Sequence, residues 1–284
     1  MTSKLYVKSD GTIHNTEEVY VKKNGNWKRA GQIFIREGGD WEPLFSNSGN
    51  ETFTTVGQHT FSVPSGIYQL SIVVQAGGGG GGNGNELGSG GGGGGGGAGG
   101  NITGNISVRP YQDLTIIVGG GGQGAPTAAR GNPPPTGSGG GASQLITPDG
   151  TYLALGGLVG ASAKTGFAPG MFGAGGAGGS TSGPSGPTYT TGSTGSNGSD
   201  NQGGSANQTG GAGASSANSL GTGGAGGGDL GGSVSTGNSS GKDASGNGAG
   251  GGGGGARDRD SIVYSTPYWE GGNGTAGKVT LSWS

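Results

Sequence analysis

The chain has no cysteine among its 284 residues. Disulfide staples, thiolate metal sites and cysteine nucleophiles are therefore excluded. Charge is sparse, at 11% of residues with a formal net charge of −2. That balance gives no electrostatic reason to expect nucleic acid or an anionic membrane as a partner. No apolar stretch approaches the ~20 residues that carry a helix across a bilayer. The opening MTSKLYVKSDGTIH contains no apolar core of a secretory signal, so synthesis in a cytoplasm without export by general secretion is the expectation. No segment shows the 3.6-residue apolar period of a helix. Hydrophobic residues make up only 27% of the chain. A conventional core over this length is out of reach, and stability is expected to draw on backbone hydrogen bonds or on partner subunits.

What the chain has is glycine, 80 residues of it. Residues 77–100 read GGGGGGNGNELGSGGGGGGGGAGG, and further blocks stand at 119–124, 137–141, 173–179, 221–232 and 248–255. With only 12 prolines and no G-X-Y period running through the chain, collagen is excluded. A flexible linker would join two domains once. Here the blocks leave and re-enter one set of strand-like sequences many times, which argues for order. A glycine segment can adopt the extended threefold helix, whose N–H and C=O groups point outward. Buried backbone groups need partners, and an array of such helices supplies them mutually. Residues 90–97 would span roughly 25 Å at about 3.1 Å per residue.

The first 45 residues repeat with a 14-residue spacing: LYVKSDGTI, VYVKKNGNW and IFIREGGDW. Asp10-Gly11, Asn24-Gly25 and Gly38-Gly39 are dipeptides that favour type I′ turns, so three β-hairpins in series are predicted. Units of this kind bury no face of their own and need a cover, which suggests a docking module; a small self-contained β-domain is the alternative. Residues 46–51 read as a polar linker. Strands follow at 52–56, 59–63, 68–76, around 105–118 and at 143–155, the last turning at Pro148-Asp149-Gly150; KVTLSW at 278–283 closes the chain. The expected fold is mainly β. Short N-terminal hairpin repeats (1–48) precede a β-sheet base that carries a polyglycine-II-type bundle with loops (49–284).

Catalytic motifs are weak. The G-x-G-x-x-G matches are expected by chance at this glycine content, and none opens a helix. Residues 237–243 (GNSSGKD) have one residue too few for a phosphate loop, and Asp243 replaces its Ser/Thr. Residues 223–229 only approximate a single calcium nonapeptide. His14 and His59 have no clustered carboxylates beside them in sequence and read as turn or surface residues. Acids for glycosidase chemistry would have to come from Asp229, Asp243, Asp258, Asp260 or Glu270. No enzyme activity, cofactor or metal is expected. What remains are polar, aromatic-bearing segments at 125–136, 158–172, 180–202, 233–247 and 257–270. Loops on a rigid scaffold carry recognition, and Tyr, Trp and Arg anchor interfaces. Arg257, Arg259, Tyr264, Tyr268 and Trp269, with Phe167, Met171 and Phe172, are the candidate recognition contacts. The alternative is that Phe167, Phe172, Tyr268 and Trp269 cap the glycine bundle or pack on the β base.

Residues 52–82 resemble the opening of the glycine-rich domain of bacteriophage tail and fibre proteins, and residues 250–283 are similar to its end. The hairpin repeats at 19–44 resemble short N-terminal repeats of phage structural proteins. The resemblance implies a likeness to the distal tail-fibre adhesins of T-even-like phages, in which polyglycine helices display variable loops to a host outer-membrane protein or surface polysaccharide. On that likeness the chain is a fibre or baseplate adhesin of the virion. Its hairpins, through Tyr6, Tyr20, Trp27, Phe34 and Trp41, would dock to another tail-fibre or baseplate protein. A monomer on a trimeric fibre and a homotrimer are both compatible with it. A purely structural tail or baseplate protein is the second reading. An ice-binding protein is a third, which the hairpins and irregular loops fit poorly.

Overall fold

The computed structural model describes residues 5–9, 12–16, 20–23, 25–29, 34–37, 40–43, 48–84, 91–126, 136–164, 172–199, 209–227, 240–254 and 269–284. β1 (Leu5–Ser9) pairs with β2 (Thr12–Thr16), β3 (Tyr20–Lys23) with β4 (Asn26–Arg29), and β5 (Phe34–Glu37) with β6 (Asp40–Pro43). Each pair is antiparallel and forms a separate two-stranded sheet. The 14-residue repeat is thus three hairpins, as the turn dipeptides predict. Gly25 takes a φ of +81°, the sign such a turn requires.

The rest of the chain is mainly β as well. In order come β7 (Gly49–Phe53), β8 (Gly57–Ser62), β9 (Gln69–Gln75), β10 (Asn101–Ser107), β11 (Asp113–Val118), β12 (Ser143–Thr147), β13 (Gly150–Ala154), β14 (Thr181–Ser182), β15 (Thr188–Thr190), β16 (Gly221–Thr222), β17 (Ser245–Gly246) and β18 (Lys278–Trp283). One 3-10 turn, Ala217–Ser219, lies between β15 and β16. Two five-stranded antiparallel sheets, ordered β15-β10-β9-β18-β7 and β14-β13-β12-β11-β8, face each other. Alternation places Leu70, Ile72, Val74, Ile102, Val279 and Leu281 of the first sheet against Phe61, Leu114, Ile116, Leu145 and Tyr152 of the second. The few hydrophobic residues thus concentrate in one small sandwich core. The polar stretch expected as a linker at 46–51 ends earlier: residues 49–51 already pair with Trp283, Ser282 and Leu281. The open side of β18 offers a backbone ladder, and ladder bonds ask nothing of side-chain polarity.

At one end of the sandwich the strands run on into glycine segments. Residues 77–82 show the rule. Gly77 and Gly80 donate to carbonyls of Gly141 and Ser138, Gly78 and Gly81 to Thr275 and Gly272, and Gly79 and Gly82 to Gly97 and Gly94. Their own carbonyls accept, in the same rotation, from Gly157 and Gly160, from Gly122 and Ala125, and from Gly251 and Gly254. The partner therefore changes with a three-residue period, as a threefold extended helix would impose. One segment is bonded to six others. The same holds for residues 91–100 and 247–254, and these three segments also bond one another. Nine more surround them in a closed ring, each bonded to the next: 119–126, 136–142, 155–164, 172–180, 191–199, 209–216, 223–227, 240–244 and 269–277.

Neighbour number explains composition. In the inner segments a Cβ on Gly96 would lie 2.1 Å from the Gly79 carbonyl oxygen, and one on Gly93 would lie 2.3 Å from that of Gly82. In the ring one position in three faces outward and takes a side chain: Leu155, Leu158, Ala161 and Lys164 on one segment, Ala174, Ala177 and Ser180 on the next.

Where ladder gives way to bundle, carbonyls lose their strand partners. Gln75, fully buried, donates through Nε2 to the carbonyls of Ala76, Gly99 and Gly100 at 3.2, 3.0 and 3.2 Å. Buried Asn101 donates from Nδ2 to Gln75 Oε1 at 2.9 Å, and Gly119 N–H donates to buried Ser143 Oγ at 3.0 Å.

Two tyrosines make the sandwich sensitive to alkali. Burial, then the nearby Asp149 carboxylate, raises the Tyr152 pKa above 10.0; burial, then Tyr152, raises that of Tyr189. Tyr189 Oη donates to the Pro184 carbonyl. Between the unfolded and folded pKa values the folded state keeps a proton that the unfolded state has lost. Stability is thus full below the ordinary tyrosine pKa and falls as pH rises past it. Melting followed from pH 8 to 11.5 is expected to show that decline, weakened in Tyr189→Phe. A flat profile above pH 10 would contradict it.

Candidate functional site

The twelve segments form six antiparallel pairs. Gly82 bonds Gly94, Ser138 bonds Gln123, Ala161 bonds Ala174, Ser199 bonds Thr209, Lys242 bonds Ala225 and Gly272 bonds Gly252. In every pair the connecting residues begin and finish at the end of the bundle remote from the sandwich. These six connections, 85–90, 127–135, 165–171, 200–208, 228–239 and 255–268, lie outside the described residues. The chain reaches β7 at the opposite pole: Gly49 pairs with Trp283, at the end of β18 away from the bundle.

Side chains fix the ends of the segments at the connecting pole. Thr209 N–H donates to Ser199 Oγ at 2.6 Å. Gly124 N–H donates to Asn273 Oδ1 at 2.9 Å, and Gly175 N–H to Asn197 Oδ1 at 2.8 Å. Asn83 is wholly buried, donates from Nδ2 to the Pro126 carbonyl at 3.4 Å, and leaves Oδ1 without a partner. Sequence reading missed this residue; its signal was a lone amide interrupting an unbroken glycine run.

Of the candidate receptor contacts, Arg257, Arg259, Tyr264, Tyr268, Phe167 and Met171 lie outside the described residues. Trp269 and Phe172 are both half-buried and stand at the connecting pole. The Trp269 carbonyl accepts from Gly84 N–H at 3.2 Å, while its indole Nε1 is buried without a partner. The two rings are not brought together: Phe172 opens a ring segment bonded to residues 91–100, and Trp269 opens one bonded to residues 77–82 and 247–254. Tyr6, Tyr20, Trp27, Phe34 and Trp41 all fall on hairpin strands, with Trp27 opposite Lys22 and Trp41 opposite Arg36.

Several segments expected as loops are bundle. Residues 158–164, 191–199 and 240–244 are hydrogen-bonded ring segments. They lost most of their glycine only because one face in three is open. The same bonds use up the polar groups of the weak motifs. Gly241 N–H donates to the Glu270 carbonyl and Lys242 N–H to that of Ala225, which leaves neither amide for a phosphate. Asp243 Oδ1 accepts from Asn273 N–H at 2.6 Å. His59 is half-buried in β8, its Nε2 2.7 Å from the Thr55 carbonyl and its ring tilted against Phe53. Among the described residues no three His, Asp or Glu side chains gather as metal ligands. A family model described as a glycine-rich domain matches residues 54–284. No curated protein matches the chain.

Proposed function

The chain belongs to the glycine-rich domain family, and from that premise we propose that it is a non-enzymatic bacteriophage adhesin. It sits on a tail fibre or baseplate and binds a host outer-membrane protein or surface polysaccharide. One observation carries this reading: six connections of unequal length leave a cross-bonded bundle at a single pole, and the chain from the hairpin repeats arrives at the other. We read the bundle as polyglycine-II-type from its three-residue rotation of partners. Such a bundle is a stiff mount for connections that vary, and recognition is a property of loops held by rigid scaffolds. Arg257, Arg259, Tyr264, Tyr268 and Trp269, within or beside the longest connection, are the residues assigned to the host contact. Phe167, Met171 and Phe172 extend it. The hairpins hold the protein to another virion protein, and several copies per particle multiply weak contacts.

The test is binding of purified, labelled protein to a panel of bacterial strains. Saturable binding to a subset of strains is expected, weakened about tenfold or more in Tyr268→Ala/Trp269→Ala, the size of a hot-spot loss. The melting temperature of the variant shows whether the fold survives. Absence of saturable binding to any strain overturns the adhesin reading in favour of a purely structural tail protein.

A further inference from the structure

We propose that two copies of this chain pair through an apolar stripe that runs from the outer face of one sheet onto the flank of the glycine bundle. The pairing does not rest on the host-binding reading. The stripe starts on β11, β12 and β13, on the face turned away from the core. Ile117 stands level with Gln144 and Leu153, and Ile146 stands between Thr115 and Thr151. The three aliphatic side chains are half-buried. The stripe continues along the ring segment that β13 launches, where Leu155 and Leu158 are 42% and 58% exposed and Ala161 follows at the next outward position. Ala174 and Ala177 flank it on the neighbouring segment. The outer face of the other sheet is different. There Val73 stands between Thr103 and Thr280, and Ser71 between Asn105 and Ser282. In a chain with only 27% hydrophobic residues, large aliphatic side chains gathered outside the core mark a contact surface.

The chemistry of the stripe selects a second copy of itself. Among the described residues its charged groups, Asp113 and Lys164, stand only at its two ends, where water screens them. Between them lie aliphatic side chains, hydroxyls and the amides of Gln58 and Gln144, which pair across Ile117. Hydroxyls and amides both donate and accept, so this surface meets its own copy without a clash of charge or of hydrogen-bonding sense. A two-fold axis places the same patch on both sides of the contact, and that self-complementarity is what such an axis demands. The footprint is adequate. From Thr151 to Ala161 the stripe runs on the order of 30 Å at strand and threefold-helix rises, and the sheet it lies on is about 20 Å wide. That face, about 600 Å² before side-chain relief is added, approaches the roughly 800 Å² that each partner buries in a stable complex.

Sedimentation equilibrium of the full-length protein tests the proposal. The wild type is expected to show twice the mass of one chain at micromolar concentration. Leu158→Asp sets like charges into the contact from both copies and is expected to weaken association about tenfold or more. Ala225→Asp, at an exposed position on the far side of the ring, is the control and is expected to leave association unchanged. Slow hydrogen exchange at the paired Ile72 and Leu281 amides shows that the sandwich is intact in each variant. A wild type of single-chain mass overturns the proposal and leaves the stripe to a protein of another sequence. A dimer that Leu158→Asp leaves as tight as the wild type also overturns it, because the contact would then lie elsewhere on the chain.

Discussion

Gly96→Ala is expected to unfold the glycine-rich body. A Cβ on residue 96 would stand 2.1 Å from the Gly79 carbonyl oxygen and 2.6 Å from its carbon. The obstacle is backbone, so no rotamer change relieves it. Moving residues 77–82 aside would break bonds to other segments, because each inner segment is held on six sides. Gly96 N–H itself donates to Gly251, and its carbonyl accepts from Ala214. Ordinary overpacking costs about 1–3 kcal/mol; a contact this short in a lattice that cannot yield costs more, against a typical domain stability of about 5–15 kcal/mol. The control is Gly120→Ala. There the nearest atom to the added Cβ is Val56 Cγ1 at 3.8 Å, so the change is expected to be neutral, or stabilising by about 0.4–1 kcal/mol through the unfolded chain. Thermal and denaturant unfolding of the two variants decide the matter. A Gly96→Ala protein as stable as Gly120→Ala would refute the six-neighbour lattice.

Gln75→Leu is expected to remove about 3 kcal/mol or more. The substitution keeps the volume and adds apolar character, so a hydrophobic ledger alone would call it harmless. Yet Gln75 is fully buried and its amide donates to the carbonyls of Ala76, Gly99 and Gly100, where ladder becomes bundle. Leucine removes the bonds that Gln75 gives to the Ala76 and Gly99 carbonyls. Each buried polar group left unsatisfied costs about 1–3 kcal/mol. Exposed Gln69, six residues earlier on the same strand, is the control: Gln69→Leu is expected to stay within about 0.5 kcal/mol of wild type. The check is the denaturation midpoint at constant m-value. Equal midpoints for the two variants would mean that the seam of Gln75, Asn101 and Ser143 contributes nothing.

The hairpins were legible because their turns have a chemical signature: Asn24-Gly25 and its counterparts admit positive φ where other pairs do not. The closing strand was legible from alternation, and KVTLSW is β18 from its first residue to its last. The bundle was legible only in part. Unbroken glycine at 77–82 and 91–97 marks segments enclosed on all sides. The ring carried a quieter signal, a local three-residue spacing such as GAGGAGGS at 173–180, and sequence reading passed over it in looking for one period through the whole chain. For that reason 158–164 and 191–199 read as loops. Of the candidate contacts, Trp269 and Phe172 proved to share a pole without sharing a neighbourhood, a separation that aromatic frequency along the chain has no means to register.

The sequence by itself determined that this protein is mainly β and rich in glycine, that its apolar core is small, and that cysteine chemistry plays no part. Those conclusions follow from residue types and local periodicity, which a chain carries without folding. Only the tertiary structure decided which glycine faces which carbonyl, that three segments are enclosed and nine surround them, and that six connections leave at one pole. A glycine segment has no side chains to encode a partner. Its pairing is set by the lattice as a whole, through the strands that launch each segment and the few buried amides, Gln75, Asn83 and Asn101, that fix its ends.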